Sequence, residues 1–214
     1  MGFRKVAGLA GIGFVVLLVG SFLMYGSPPS TAAKPDEIAK YVADTDSFLL
    51  GGLAGILGAA LMIPWVAGFV IPFAESDRAR GEGFALMIAG STLVACAAIG
   101  TALALLATLG LRTEELDGPT VRVLWDASNV AYSFSILLVV PAAGATALAV
   151  LKHGLMPRWF GYLSGVAALL GLSAIPGFVA TGDAAMLLLF GFVGMLVWVL
   201  ASSVLMVRGG AVAK

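Results

Sequence analysis

The chain has 214 residues, of which 60% are hydrophobic and 11% are charged, and its formal net charge is zero. A soluble domain carries about 25% charged residues, more than twice the fraction in this chain. Together with a mean hydropathy of +1.04, this composition predicts a membrane protein that is surrounded by the lipid bilayer. The zero net charge argues against nucleic acid as a partner.

The first predicted element is an apolar helix at residues 6–24, preceded by Arg4 and Lys5. A basic segment followed by an apolar one is also typical of a signal peptide. The apolar stretch is long for a signal peptide, however, and residues 30–33 are a poor cleavage site. We therefore expect an uncleaved first membrane span.

Residues 27–47 form a polar segment that contains a second, shorter element. The proline and two acids at residues 35–37 are typical of a helix first turn, where proline is tolerated and acids face the positive end of the helix dipole. Ile38, Tyr41 and Val42 would then form an apolar stripe. This pattern predicts a short amphipathic helix on the outer surface of the membrane.

Five further apolar segments follow, separated by short charged or polar loops. They lie at residues 48–73, 84–109, 121–152, 159–179 and 184–207. With the first span they predict a single all-α domain, a polytopic bundle of six transmembrane helices. The loop between spans two and three is expected at residues 74–83, which carry acids and arginines.

Three of these spans contain a proline, which removes one backbone hydrogen bond and so favours a kink. The prolines that we expect to kink their spans are Pro64, Pro141 and Pro176, in spans two, four and five. Caps are expected where a short polar side chain precedes a span, because that side chain can accept a hydrogen bond from the first turn. The candidates are Asp46 or Ser47 for span two and Asp183 for span six.

Span four carries the most informative polar residues. At the helical rise, residues 121–152 would extend about 48 Å. The hydrocarbon core is about 30 Å thick, so the outer end of this span should reach the headgroup layer. Arg122, Asp126, Asn129 and Ser133 are spaced to share one helical face, and the first two can form an ion pair.

Two interpretations of this polar face remain open. The functional interpretation is an outward-facing ligand-binding site. Its residues would be Arg122, Asp126, Asn129, Tyr132 and Ser133. The structural interpretation is an anchor in the headgroup layer, where Trp125 and Tyr132 are typical residues. The anchor is favoured, because no charge lies at the depth where ionisable groups become costly.

The sequence offers no catalytic or metal-binding set. Its one histidine, His153, stands beside Lys152 at the end of a span, and its one cysteine, Cys96, lies mid-span among small apolar residues. A metal or haem site needs several such ligands, and nucleophilic or acid–base catalysis needs paired groups. We therefore expect no metal, no cofactor and no enzymatic activity.

Basic residues are distributed unequally between the two sides of the predicted bundle. Eight fall on the side of both termini and four on the opposite side. The eight are Arg4, Lys5, Arg78, Arg80, Lys152, Arg158, Arg208 and Lys214, and the four are Lys34, Lys40, Arg112 and Arg122. Since basic residues concentrate in cytoplasmic loops, this predicts the cytoplasmic membrane with both termini in the cytoplasm.

The junction between spans four and five carries the motif Leu-Lys-His-Gly-Leu-Met-Pro-Arg-Trp-Phe-Gly-Tyr-Leu-Ser-Gly at residues 151–165. It resembles the Pro-Arg/Lys-Trp-Leu-Gly turn of a group of small bacterial membrane proteins with six helices. The basic N-terminus followed by Ala-Gly, at residues 4–8, and the polar segment after the first helix are also similar to that group. The resemblance implies the six-helix layout and brings no activity with it. In structural terms, Gly154 ends one helix and Pro157 begins the next.

Pairs of small residues four positions apart let helix backbones approach closely in lipid. They occur at Ala7/Gly11, Gly51/Gly55 and Gly161/Gly165. These pairs favour a non-enzymatic accessory protein that binds another membrane protein or a second copy of itself. The alternative is a small carrier or receptor for an apolar or amphipathic molecule, since kinked spans could enclose a cavity. A faint similarity between spans one to three and spans four to six would fit an inverted repeat.

Overall fold

The computed structural model describes residues 2–30, 33–43, 48–178 and 185–209. Eight α-helices occupy these residues, and no strand is present among them. They are α1 (Phe3–Tyr25), α2 (Pro35–Ala43), α3 (Phe48–Arg80), α4 (Phe84–Arg112), α5 (Gly118–Leu137), α6 (Val139–His153), α7 (Arg158–Gly171) and α8 (Ala185–Val207). Short 3-10 helices follow α4 at Thr113–Glu115 and α7 at Leu172–Phe178. The predicted all-α architecture is confirmed.

Six helical segments within the described residues are long and apolar enough to cross a membrane. They are α1, α3, α4, α5 together with α6, α7 with its 3-10 extension, and α8. The outward surfaces of these helices are apolar, and Leu23 and Leu86, for example, are each 78% exposed. So much exposed apolar surface indicates a lipid surrounding, and the chain is a multi-pass membrane protein.

Helix α1 packs mainly against α3 and α8, and glycines make this close approach possible. A Cβ atom at Gly11 would collide with Trp65 of α3 and Ser203 of α8. A Cβ atom at Gly68 of α3 would collide with Ala7. The predicted small-residue pair Ala7/Gly11 therefore lies at a close helix contact.

The other two small-residue pairs behave differently from each other. A Cβ atom at Gly51 would lie 3.2 Å from the carbonyl oxygen of Ser21 in α1, and one at Gly55 would lie 2.9 Å from α4. A Cβ atom at Gly161 would lie 2.9 Å from α6, whereas the nearest atom to one at Gly165 would be 4.0 Å away. Gly165 is therefore not required for close packing.

Aromatic side chains fill the core where α3, α7 and α8 meet. The ring of Phe69 stacks on Trp65 at a centroid distance of 5.0 Å and meets Trp198 edge-on at 5.6 Å. Phe73 and Phe160 lie 5.3 Å and 6.2 Å from the same ring. The Trp198 indole N–H donates a 3.1 Å hydrogen bond to Ser164 Oγ, which links α8 to α7. This cluster joins α3, α7 and α8.

The loop predicted at residues 74–83 is mostly helical, because α3 continues to Arg80. Asp77 is buried, and its Oδ2 accepts a 2.6 Å hydrogen bond from the backbone N–H of Ala85 in the first turn of α4. Gly81, with φ of 68°, then makes the turn between the two helices. The acid therefore caps the next helix from within α3 instead of lying in a loop.

The single helix predicted at residues 121–152 is interrupted. Helix α5 ends at Leu137 and α6 begins at Val139. Pro141 explains the break, since it has no N–H for the carbonyl of Leu137 four residues earlier, and its ring crowds that carbonyl. The two parts nevertheless form one segment long enough to span a bilayer.

Regular α-helix also ends ahead of Pro176. Helix α7 ends at Gly171, and the chain continues as the 3-10 helix from Leu172, which is four residues before Pro176. By contrast, α3 stays a single α-helix through Pro64. A proline therefore interrupts regular α-helix in spans four and five but not in span two.

Asp117 sets the start of α5. Its Oδ1 accepts a 3.0 Å hydrogen bond from the backbone N–H of Thr120, and the hydrogen bonds from Thr120 lower the pKa of the Asp117 carboxyl. Helix α5 accordingly begins at Gly118, ahead of the start predicted at residue 121. The predicted caps Asp46, Ser47 and Asp183 lie outside the described residues, as do Val179 and Ala184.

Helix α2 is present as predicted, but its apolar stripe faces the protein. Ile38 is 0% and Val42 4% exposed, and Tyr41 is half-buried. The helix packs on the ends of α4 and α5, where its apolar side chains join Val121 and Trp125 in a second apolar cluster. It therefore covers one end of the bundle, which we call the α2 end.

Candidate functional site

The predicted ion pair between Arg122 and Asp126 is formed on α5. Arg122 Nε lies 2.8 Å from Asp126 Oδ2, and the two side chains are 31% and 49% exposed. Arg122 Nη1 also donates a 2.5 Å hydrogen bond to the carbonyl oxygen of Ala33, just before α2. The pair thus ties the segment entering α2 to the surface of α5. An ion pair this exposed contributes about 1 kcal/mol or less.

A cavity of about 110 Å³ lies at the α2 end, between α1, α3, α4 and α5 and beneath α2. Aromatic side chains make up much of its wall. They are Phe22, Tyr25, Tyr41, Phe48, Trp125 and Tyr132. Aliphatic side chains, with Ser21, Ser128 and Asn129, complete the lining. A mostly apolar pocket with a few polar groups is the usual form of a small-molecule site.

The cavity includes only part of the polar face predicted on α5. Asn129 and Tyr132 line it, together with the neighbouring Trp125 and Ser128. Arg122 and Asp126 do not line it, and Ser133 is 1% exposed and lies outside it as well. The structure therefore does not bring the five predicted site residues together in one pocket.

Three of the side chains that line the cavity carry a buried polar atom with no hydrogen-bond partner among the described residues. These atoms are the indole Nε1 of Trp125 and the hydroxyl oxygens of Tyr25 and Tyr132. Trp125 is only 4% exposed. Buried polar groups almost always have a partner, so each exception requires an explanation.

Ring contacts close the side of the cavity between α1 and α5. Phe22 of α1 lies 5.6 Å from the ring of Tyr132 on α5 and 4.7 Å from that of Phe192 on α8. Phe22 is 37% exposed, so the same ring also faces the surroundings of the bundle. This side of the cavity is therefore separated from the lipid by single side chains.

Tyr41 of α2 covers the end of the cavity. Its ring meets those of Trp125 and Phe48, each at 5.9 Å, and its hydroxyl donates a 2.6 Å hydrogen bond to the carbonyl oxygen of Tyr25. Burial and the nearby Tyr25 raise the pKa of Tyr41 to about 12. The hydroxyl is therefore uncharged at physiological pH, which suits a mostly apolar wall.

His153 is paired with a carboxylate at the opposite end of the bundle. Glu82, in the turn between α3 and α4, lies 2.6 Å from both Lys152 Nζ and His153 Nε2 at the end of α6. The hydrogen bond from Lys152, followed by the contact with His153, lowers the pKa of the Glu82 carboxyl. The described residues contain no group of three side chains suited to a metal. This pairing could not be predicted from sequence, because Glu82 and His153 lie far apart along the chain.

Sequence reasoning missed most of the cavity wall. Tyr25, Tyr41 and Phe48 come from three different helices, and only their arrangement in space makes them one site. The available signal was the collection of aromatic residues near one end of several spans, which is equally typical of headgroup anchors.

At the junction of α6 and α7, Gly154 has a φ of 65° and ends α6, and α7 begins at Arg158 directly after Pro157. This agrees with the structural account of the motif at residues 151–165, while the resemblance to the six-helix bacterial group stays a prediction. Comparison with protein-family models, curated proteins and solved structures finds no match for this chain.

Proposed function

We propose that the protein is a non-enzymatic receptor or carrier that holds a small amphipathic molecule in the cavity at the α2 end. The observation that carries this proposal is an apolar, aromatic cavity lined by Trp125 and Tyr132, each of which has a buried polar atom without a hydrogen-bond partner among the described residues. Leaving a buried polar group unpaired costs about 1–3 kcal/mol, and a ligand that pairs with it removes that cost. No carboxylate, lysine or histidine lines the cavity among the described residues, so its groups suit binding better than acid–base chemistry.

Filling the cavity should abolish ligand retention. Ala102 of α4 is 2% exposed and lines the cavity, so Ala102→Leu would place extra carbon atoms inside it. Ala104 is on the same helix but is exposed on the outside of the bundle, and Ala104→Leu is the matched control. After purification in mild detergent, mass spectrometry should find a small molecule with the parent protein and with Ala104→Leu. With Ala102→Leu the amount should fall at least about tenfold, since tenfold corresponds to about 1.4 kcal/mol of lost binding.

Equal retention by both variants would show that the molecule binds elsewhere, on the lipid-facing surface. If the parent protein carries no bound molecule, lipid included, the receptor proposal fails. Circular dichroism and thermal unfolding of both variants would show that each is folded before retention is compared.

A second candidate function is binding to another membrane protein or to a second copy of the chain. The outward face of α4 favours it, because small residues at helical spacing leave room for a partner helix. They are Gly90, Ala97, Thr101, Ala104 and Thr108. On this proposal Ala104→Leu, but not Ala102→Leu, should dissociate a complex seen by cross-linking in native membranes. The same two variants therefore separate the two functions.

The proposed location is the cytoplasmic membrane with both termini in the cytoplasm. The eight-to-four distribution of basic residues supports it. Helix order places Arg78, Arg80 and Lys152 at the end of the bundle opposite α2, the same end as the start of α1. A reporter active only in the cytoplasm should be active when fused after Lys214 and silent when inserted near Ser30. The reverse result would invert the orientation.

A further inference from the structure

The unpaired groups in the cavity are hydrogen-bond donors. The indole N–H of Trp125 can only donate, and it is buried without a partner among the described residues. The Tyr132 hydroxyl, also buried and without a partner, can donate as well. The Tyr25 hydroxyl is a third such group, and the side chains of all three residues line one mostly apolar cavity. A ligand that pairs with the Trp125 indole must present a hydrogen-bond acceptor, and an acceptor also suits the two hydroxyls.

Two backbone carbonyl oxygens of the same wall already accept hydrogen bonds from side chains. The carbonyl oxygen of Trp125 accepts hydrogen bonds from Ser128 Oγ at 2.7 Å and from Asn129 Nδ2 at 3.0 Å. The carbonyl oxygen of Tyr25 accepts one from Tyr41 Oη at 2.6 Å. Both lone pairs of the Trp125 carbonyl oxygen are therefore engaged, and one of the two on the Tyr25 carbonyl oxygen is. The wall therefore favours a ligand with acceptors over one with donors.

Size and access indicate an apolar body dissolved in the bilayer. A volume of about 110 Å³ is close to that of an apolar cavity that binds benzene, about 150 Å³. One ring or a short stretch of chain fits inside, and the rest of a longer molecule would extend outward. Phe22, partly exposed and in contact with Tyr132, lies on the lipid-facing side of the cavity.

We infer that the cavity takes a membrane-dissolved molecule whose carbonyl oxygens accept hydrogen bonds from Trp125 and Tyr132. Isoprenoid quinones and glycerolipid esters both combine carbonyl oxygens with an apolar body. This inference rests on the proposed function and adds the chemical class of the ligand to it.

The test is a calorimetric titration of the full-length protein in maltoside micelles. Three probes distinguish the chemistry: a benzoquinone with one isoprene unit, its hydroquinone, and dihexanoylphosphatidylcholine, which has two ester carbonyls and no donor. The same titrations with Ala102→Leu, in which the cavity is filled, measure the background from partition of each probe into the micelle. We expect the quinone, the diester or both to bind above this background, and the hydroquinone to bind at least about tenfold more weakly than the quinone if the quinone is the ligand.

Two conservative variants test the donors. Trp125→Phe and Tyr132→Phe keep an aromatic ring and remove the N–H or the hydroxyl, and each should weaken binding of the preferred probe about tenfold. Ser133→Ala is the control, because Ser133 is on the same helix and is also buried with an unpaired hydroxyl but does not line the cavity. It should leave binding unchanged. Without ligand, Tyr132→Phe should melt no lower than the parent, since it removes an unpaired buried hydroxyl and keeps the ring. Trp125→Phe also removes buried carbon atoms and should melt lower, because it leaves a cavity.

Binding of quinone alone would assign the site to quinones, and binding of the diester alone would assign it to glycerolipids. Equal binding of quinone and hydroquinone, or unchanged affinity in both donor variants, would overturn the carbonyl inference while leaving the cavity as the binding site. If no probe binds above the Ala102→Leu background, the carbonyl inference is likewise overturned. A molecule that still co-purifies with the parent protein but not with Ala102→Leu would then preserve the proposed function.

Discussion

Gly11→Ala should strongly destabilise the bundle, although it adds only one methyl group. The new Cβ atom would collide with Trp65 of α3 and Ser203 of α8. Both side chains are fully buried, and Trp65 is further held by its stack on Phe69, so neither can move without disturbing the core. Overpacking of this kind costs about 1–3 kcal/mol and occasionally more. We expect the upper part of that range, because two neighbouring helices obstruct the same atom.

The control is Gly20→Ala on the same helix. No atom lies within 4 Å of a Cβ atom built at Gly20. Alanine is a better helix former than glycine by about 0.5–1 kcal/mol, so this variant should be as stable as the parent or slightly more stable. Unfolding in mixed micelles with increasing sodium dodecyl sulfate would compare the three proteins. Similar midpoints for Gly11→Ala and the parent would mean that α1 is not seated between α3 and α8 as described.

The small-residue pairs show what a sequence pattern can establish about helix packing. The Ala7/Gly11 spacing correctly predicted a close contact, and the equivalent spacing at Gly161/Gly165 was correct only for Gly161. Spacing fixes which residues share a helical face. Which face meets another helix and which meets lipid depends on the arrangement of all the spans, and in a membrane both faces are apolar.

The six spans were predictable because apolar length is a direct physical requirement for crossing a bilayer. The points at which the helices end or break were less predictable. Asp77 was assigned to a loop because it is charged, yet it lies within α3 and caps α4. Pro141 was recognised as a disturbance, but the sequence could not distinguish a kink from the break between Leu137 and Val139. Local packing decides how far a proline disrupts a helix.

The cavity was harder to foresee than the spans. The aromatic rings of Trp125 and Tyr132 are as typical of headgroup anchors as of a binding site. The apolar stripe of α2 was similarly ambiguous, since Ile38 and Val42 could face lipid or protein. Only the placement of α2 over the ends of α4 and α5 turns these residues into the wall and cover of one cavity.

Phe69→Ala should produce the second large loss of stability. The Phe69 side chain is fully buried and lies at the centre of the aromatic cluster that joins α3, α7 and α8. In the cores of water-soluble proteins, Phe→Ala costs about 3–5 kcal/mol of stability. Part of this cost is the lost free energy of transferring the ring out of water, and part is the cavity that the ring leaves. In a membrane the unfolded helices are still surrounded by lipid, so most of the transfer contribution disappears and the loss of packing remains. We therefore expect about 2–3 kcal/mol.

Phe190→Ala is the matched control for that loss. Phe190 is in α8 and is 56% exposed on the outside of the bundle, where lipid chains can fill the space that its ring leaves. Its unfolding midpoint should be close to that of the parent. Benzene supplies a further check, because an apolar cavity lined by rings can bind it. Added benzene should raise the stability of Phe69→Ala above its effect on the parent and on Phe190→Ala. Equal losses in the two variants would mean that the Phe69 ring faces lipid, and the aromatic cluster could not then be what joins α3 to α7 and α8.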